Sequence, residues 1–146
     1  MKSIDKYWMK KALILAKTAN SKNEVPVGAV LIYNNKIISK GYNISVKKND
    51  PTAHAEIITL RKGGYFLKNY RLLQTTLYVT LQPCLMCFGA ILNSRIYKLV
   101  YGVNSNYYKK RFFNKLFINK KIKIKNNIFK EKCKHIIQQF FKKKRK

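Results

Sequence analysis

Four side chains in two short stretches have the types and spacing of a hydrolytic metal site. Ala53-His54-Ala55-Glu56 offers an imidazole and a carboxylate two residues apart, and Pro83-Cys84-Leu85-Met86-Cys87 offers two thiols three residues apart. His54, Cys84 and Cys87 are ligands suited to zinc, and Glu56 is a carboxylate the metal does not need. A catalytic zinc keeps three protein ligands and one open position, whereas a structural zinc closes with four. Each motif alone admits other readings. A histidine near a helix start is ordinarily a cap or core residue, and Cys-x-x-Cys serves equally as a structural zinc pair or a redox pair. Cys133 and His135 are the other candidates for a fourth ligand, but Cys133 falls on an apolar helical stripe and His135 lies among lysines. The combination favours three ligands, an activated water and Glu56 as its proton carrier.

These side chains converge only if both motifs lie at helix N-termini. His54 and Glu56 would diverge in a helix interior, but Cα–Cβ bonds lean toward the N-terminus and let both reach past the first turn. The helix dipole also favours the thiolate forms of Cys84 and Cys87. Adjacent parallel strands are expected to bring the two helix starts together.

The rest of the chain supplies such elements. Ile4, Trp8, Ala12, Leu15, Ala16 and Ala19 predict a helix over about residues 3–20, capped by Ser3 or Asp5. After a break at Glu24-Val25-Pro26, Val27 to Tyr33 reads as a buried strand, Asn34-Asn35 as a tight turn, and Lys36 to about Gly41 as its hairpin partner. Asn43 to Asn49 reads as loop. Asp50-Pro51 reads as a helix start, with the stop at Gly63-Gly64 after about Lys62. Thr76 to Leu81 (strand), Pro83 to about Asn93 (helix) and Arg95 to Tyr101 (strand) make a crossover unit, which implies parallel pairing. Val103 to Asn119 reads as loop or irregular helix. Ile122 and Ile124 read as an edge strand guarded by lysines, and Ile128 to Phe141 as a final amphipathic helix. The fold class is α/β, with a mixed sheet of about five strands and helices on both faces.

Composition narrows the function classes. At 146 residues, with 47% hydrophobic content, the chain reads as one globular domain. Three cysteines, two of them explained by metal, argue against a secreted disulfide scaffold and for a reducing interior. The short run Ala12 to Ala16 is ended by Lys17, so neither a signal peptide nor a membrane span is expected, and the protein reads as soluble. The net charge of +27 points to a polyanionic partner, foremost nucleic acid. A/T-biased codon usage explains the abundant Lys, Asn and Ile, but not the scarcity of Asp and Glu.

The sequence resembles the cytidine/deoxycytidylate deaminase superfamily, and within it the bacterial tRNA-specific adenosine deaminases. The likeness rests on Tyr7-Trp8-Met9, Glu24 to Val30, Asn43, Asp50 to Ile57, Asn69 to Leu72, Leu77 to Leu81, Pro83-Cys84, Met86-Cys87 and Ser94-Arg95-Ile96. It returns at Phe140-Phe141. The resemblance implies a three-layer α/β/α fold, a homodimer with one catalytic zinc per subunit, and a cytoplasmic enzyme that converts wobble adenosine to inosine in an arginine tRNA. It implies that His54, Cys84 and Cys87 hold zinc, that zinc-bound hydroxide attacks C6, and that Glu56 shuttles the proton. Val27, Asn43 and the Ala55 amide would contact a flipped-out adenine. Arg61, Gly63, Gly64, Phe141, Lys142, Lys144 and Arg145 would contact the anticodon loop, with a basic helix over about residues 127–146 completing the RNA surface. Gln82 departs from the family's glutamate, keeping size and losing charge, and the segment after Gly102 lacks the family's aspartate and glycines. A free guanine or cytosine deaminase of the same superfamily is the alternative, and a zinc-stabilised RNA-binding module without catalysis is the third reading.

Overall fold

The computed structural model describes residues 3–105 and 122–145. The expectation for Val103 to Asn119 therefore falls mostly outside the described residues. Helix α1 spans Ile4–Ser21, and strands β1 (Gly28–Tyr33) and β2 (Lys36–Tyr42) form the expected hairpin. Its turn residues Asn34 and Asn35 both take positive φ, 50° and 59°, the conformation that matches hairpin twist. Then come α2 (Ser45–Lys48), α3 (Ala55–Leu67), β3 (Thr76–Leu81), α4 (Leu85–Ser94) and β4 (Lys98–Val103). The chain closes with β5 (Lys123–Lys125) and the last helix, here α5 (Lys130–Lys144).

The five strands form one sheet in the order β2-β1-β3-β4-β5. The β1–β2 and β1–β3 pairs are antiparallel, and the β3–β4 and β4–β5 pairs are parallel. The sheet is thus mixed, as its crossover unit predicted. Alternation along the strands splits the core. Leu31, Leu77, Val79 and Leu99 pack with Leu60 of α3 and Ile91 of α4, whereas Val30, Tyr78 and Val100 pack with Trp8, Met9 and Ala12 of α1. Cys133 of α5 joins Leu13 and Val103 in a third cluster, the core role its stripe indicated. No helix among the described residues is long and apolar enough to cross a membrane. Gly28 is required where α1 crosses β1, because a Cβ there would meet the Ala12 carbonyl oxygen and the Ala16 nitrogen.

Several expectations are corrected. Asp5 is no cap; its carboxylate is buried, accepting from the Tyr78 hydroxyl and from Lys125 Nζ, both at 2.7 Å, with Lys98 Nζ at 3.7 Å. It ties α1 to three strands. Burial alone would raise its pKa, but hydrogen bonds from Lys125 and Tyr78 and the charges of Lys98 and Lys125 outweigh it and hold the carboxyl below 3.8. Asp5→Asn should lower stability by roughly 1–2 kcal/mol, since Lys125 is half exposed and partly screened. A depressed carboxyl contributes stability that is complete above its unfolded pKa and lost as pH falls through the folded one. In urea melts the gap between wild type and D5N should be constant near neutrality and close below about pH 4.

The loop from Asn43 contains the short helix α2. Asp50-Pro51 does not start α3; Asp50 Oδ1 instead accepts from the Thr52 amide at 2.8 Å in a local turn, and His54 takes the N-cap position. Nor do the glycines stop α3, which continues to Leu67 and ends on Lys68 with left-handed φ of 53°. Gly63 faces the sheet, where an added Cβ would lie 2.5 Å from Leu31 Cδ2, while at Gly64 the nearest atom is Asn69 O at 3.4 Å. Gly63→Ala should therefore cost about 1–3 kcal/mol by overpacking. Gly64→Ala should be neutral or stabilise by up to about 1 kcal/mol through helix propensity. Thermal melts of the two variants test that contrast. Strand β4 begins at Lys98 rather than Arg95, which takes a left-handed C-cap φ of 57°.

Candidate metal and substrate site

Strands β2 and β3 run the same way with antiparallel β1 between them, so they are parallel but not adjacent as expected. Their C-terminal ends still reach one sheet edge, where β1 begins. Helices α3 and α4 start from that edge, with His54 and Cys84 as their N-caps and Cys87 in the first part of α4. Both motifs lie at helix starts, as their chemistry requires.

His54 Nδ1 is 3.5 Å from Cys84 Sγ and 3.4 Å from Cys87 Sγ. All three ligand atoms lie within 4.8 Å of one another, the one such group found among the described residues. Tetrahedral zinc with ordinary Zn–N and Zn–S lengths separates N and S ligand atoms by about 3.5 Å. The donor types and spacings therefore fit zinc. Cys133 and His135 stay outside the group, Cys133 in the core and His135 exposed on α5.

A hydrogen bond from Cys87, against a smaller opposing effect of burial, and a second bond with His54 bring the Cys84 thiol down to about 4. The same bond to Cys84, aided by burial, pushes Cys87 up. The bond with Cys84 raises His54, burial opposing. Glu56 lies in the first turn of α3, only 4% exposed. Burial, with the Cys84 charge adding, raises its carboxyl to about 7.

These residues border a cavity of about 450 Å³ lined by Val25, Val27, Asn43, Ala55, Leu81 and Gln82 together with His54, Glu56, Cys84 and Ser105. Val25, Val27, Ala55 and Leu81 give it apolar wall, and the polar side chains of Asn43, His54, Glu56 and Gln82 share it, the mixture a small-molecule site uses. Val27, Asn43 and Ala55 are thus brought to the metal group. Val25, Leu81 and Ser105 were not singled out in the sequence; their signal is position, since Val25 leads into β1 and Leu81 ends β3 at the same edge. Gln82 Oε1 accepts from the Ser105 amide at 2.8 Å, so the residue that replaces a glutamate still ties down the exit of β4.

The other assigned residues lie elsewhere. Arg61 and Gly64 line a second cavity of about 730 Å³ with Lys68, Asn69, Tyr70 and Ser94. Gly63 is buried against Leu31, so it presents no surface to a partner. Phe141, Lys142, Lys144 and Arg145 are exposed near the end of α5 and are not among the described residues lining the cavity. Phe141 stacks edge-to-face on buried Phe140 at 5.3 Å between ring centroids.

The MafB19-like deaminase family model matches residues 4–145. A tRNA-specific adenosine deaminase from Buchnera aphidicola (subsp. Baizongia pistaciae) is 54% identical, the alignment covering 100% of this chain and 93% of that one. The chain belongs to the tRNA-specific adenosine deaminase family. Among solved structures, one from work on A-to-I editing by tRNA:A34 deaminases at the wobble position superposes on this deaminase with a TM-score of 0.82. It is 34% identical over 89% of this chain and 98% of that chain. A guanine deaminase from Bacillus subtilis gives a TM-score of 0.68 and 33% identity over 79% of this chain and 76% of that chain. The three-layer arrangement of the deaminase, α3 and α4 on one face of the mixed sheet and α1 on the other, is the fold that the family implied.

Proposed function

We propose that the protein is a homodimeric, zinc-dependent cytoplasmic enzyme that deaminates the wobble adenosine of an arginine tRNA to inosine. The observation that carries this reading is a buried carboxylate, Glu56, beside the His54, Cys84 and Cys87 group at the wall of one cavity. His54, Cys84 and Cys87 would hold the zinc. When bound there, zinc supplies Lewis acidity that makes water nucleophilic near neutral pH.

The chain's own groups then account for the rest. Water adds at C6 of the base and the exocyclic amine leaves as ammonia. Glu56 accepts a proton from the attacking water and returns it to the departing nitrogen, a cycle suited to a carboxyl near 7. The Ala55 amide is a first-turn N–H that its helix cannot satisfy, free to meet an acceptor on the base. Asn43 supplies a side-chain amide, and Val27 and Leu81 supply apolar walls. Base pairing and stacking keep a base within RNA from reaching a cavity below the surface, so it must be splayed out to enter.

The whole chain would act as one catalytic domain, with α5 extending the RNA surface beyond the cavity. Replacing Lys142, Lys144 and Arg145 together by neutral residues should weaken tRNA binding and reduce the slope of log affinity against log salt by about 2. Filter binding across salt concentrations measures it; an unchanged slope returns these residues to a solvated helix end.

The likeness to a guanine deaminase favours one second reading, deamination of a free guanine or cytosine compound. Incubation of the purified protein with candidate tRNAs, and separately with free bases, tests the choice. Inosine confined to the wobble position supports the proposal, and turnover of free guanine or cytosine overturns it. A non-catalytic zinc module is disfavoured, because it calls for four ligands and the group among the described residues has three.

A further inference from the structure

Glu24 is 2% exposed in a chain that has few carboxylates, and it lies outside the metal group. It follows α1, its amide held by Ala19 O at 3.0 Å, and it precedes the cavity residue Val25. Its two carboxylate oxygens take different amides of one short helix: Oε1 accepts from Val46 N–H at 3.0 Å and Oε2 from Lys47 N–H at 2.9 Å. These are first-turn amides of α2, which has no side-chain cap of its own. A buried carboxylate supplied from 22 and 23 positions away does the capping instead.

The pinned helix in turn holds a cavity residue. Ser45, the first residue of α2, donates its hydroxyl to Asn43 Oδ1 at 2.8 Å. Asn43 N–H donates to Val27 O at 3.2 Å, and Ile44 N–H donates to Ala53 O at 3.0 Å, beside His54. Asn43 is 7% exposed and lines the cavity. With its carbonyl oxygen engaged by Ser45, the side chain is left with its NH₂ group as the donor for the cavity. The Glu24–α2–Ser45 connection thus reaches the Asn43 side chain through hydrogen bonds at each step.

We propose that Glu24 is a positioning residue for substrate binding, acting through α2 and Ser45 to fix the amide of Asn43. The proposal rests on the reading that the cavity takes the reacting base. A group that orients a binding contact changes substrate binding before it changes the chemical step. Glu24→Gln keeps the volume but turns one oxygen into a donor facing a backbone N–H, so one of the two bonds is lost. It should raise KM about tenfold and change kcat by less than about threefold. Asn43→Ala should give the same split. The double variant should be no worse than Asn43→Ala alone, because Glu24 has nothing left to orient.

The experiment is this double-mutant cycle, run well below the melting temperature on whichever substrate the wild-type enzyme turns over, an anticodon stem-loop or a free base. Failure of the RNA reading therefore shows in the wild type and leaves the cycle readable. Equal zinc content and far-UV spectra establish that each variant is folded. Losses that multiply in the double variant, or a lowered melting temperature with KM unmoved, would overturn the proposal and make Glu24 a helix cap only. Ser45→Ala is the second variant, used where Glu24→Gln does not fold. Ser45 is only partly buried, and its loss removes the one hydroxyl on Asn43. It should raise KM a few-fold and be silent in the Asn43→Ala background; a KM effect that persists there overturns the proposal.

Discussion

Glu56→Gln is expected to fold, to bind zinc like the wild type, and to lose at least about a thousandfold in kcat. The substitution keeps the shape of a side chain that is 4% exposed, so packing around the start of α3 is preserved. It removes the proton-transfer capacity on which the proposed cycle depends. A carboxyl near 7 can be either a base or an acid at neutral pH, whereas an amide is neither. Zinc content should be unchanged, since His54, Cys84 and Cys87 form a group without it. Single-turnover assays separate the chemical step from binding, and KM should move little. Turnover within tenfold of wild type would remove Glu56 from the proton path. Loss of zinc with loss of turnover would make it a ligand rather than a shuttle.

Removal of the metal should abolish activity and also loosen the fold. His54, Cys84 and Cys87 come from two helix starts 30 and more positions apart, so an ion shared by them would close a long loop at that sheet edge. Each ligand is anchored: Cys87 is 0% exposed, and the N-cap positions of His54 and Cys84 set their backbones in extended geometry. At free zinc about a thousand times its dissociation constant, binding adds about 4 kcal/mol of stability. For a chain of this size that is roughly 10 °C in melting temperature. Dialysis against a chelator should lower the melting temperature by this order and stop turnover, and added zinc should restore both. Cys87→Ala should mimic chelation irreversibly. A melting temperature indifferent to chelator would mean that the cluster is not a metal site in the folded protein.

The parts of this protein that were legible in its sequence are those set by neighbours in the chain. Cys84 and Cys87 sit three apart on one helix start, His54 and Glu56 two apart on another, and each strand carries its own alternation. What was hidden depends on contacts across the chain. Asp5 reads as a cap because Tyr78 and Lys125 are 73 and 120 positions away. Gly63-Gly64 reads as a stop because glycine ends helices, and only the approach of Leu31 shows why α3 needs one inside it. Helix α2 contains no capping signal, since its cap is Glu24. The placement of β1 between β2 and β3 is a choice of topology on which hydrophobic pattern is silent. The grouping of His54, Cys84 and Cys87 was therefore legible from residue types and spacing, while the cavity wall waited for the sheet edge that assembles Val25, Leu81 and Ser105.

The engagement of Asp5 with Tyr78 and Lys125 has a meaning beyond stability when set beside the other acids. The chain has five Asp and Glu against 32 Lys and Arg. Asp5 joins α1 to the sheet, Glu24 caps α2, Asp50 shapes the turn before His54, and Glu56 lines the cavity. Even exposed Glu131 lies in the first turn of α5, where the helix dipole favours it. Loss of any of the first four would remove a joint, a cap, a turn or a cavity wall. In a chain of net charge +27, negative charge is thus concentrated where the fold and the cavity use it.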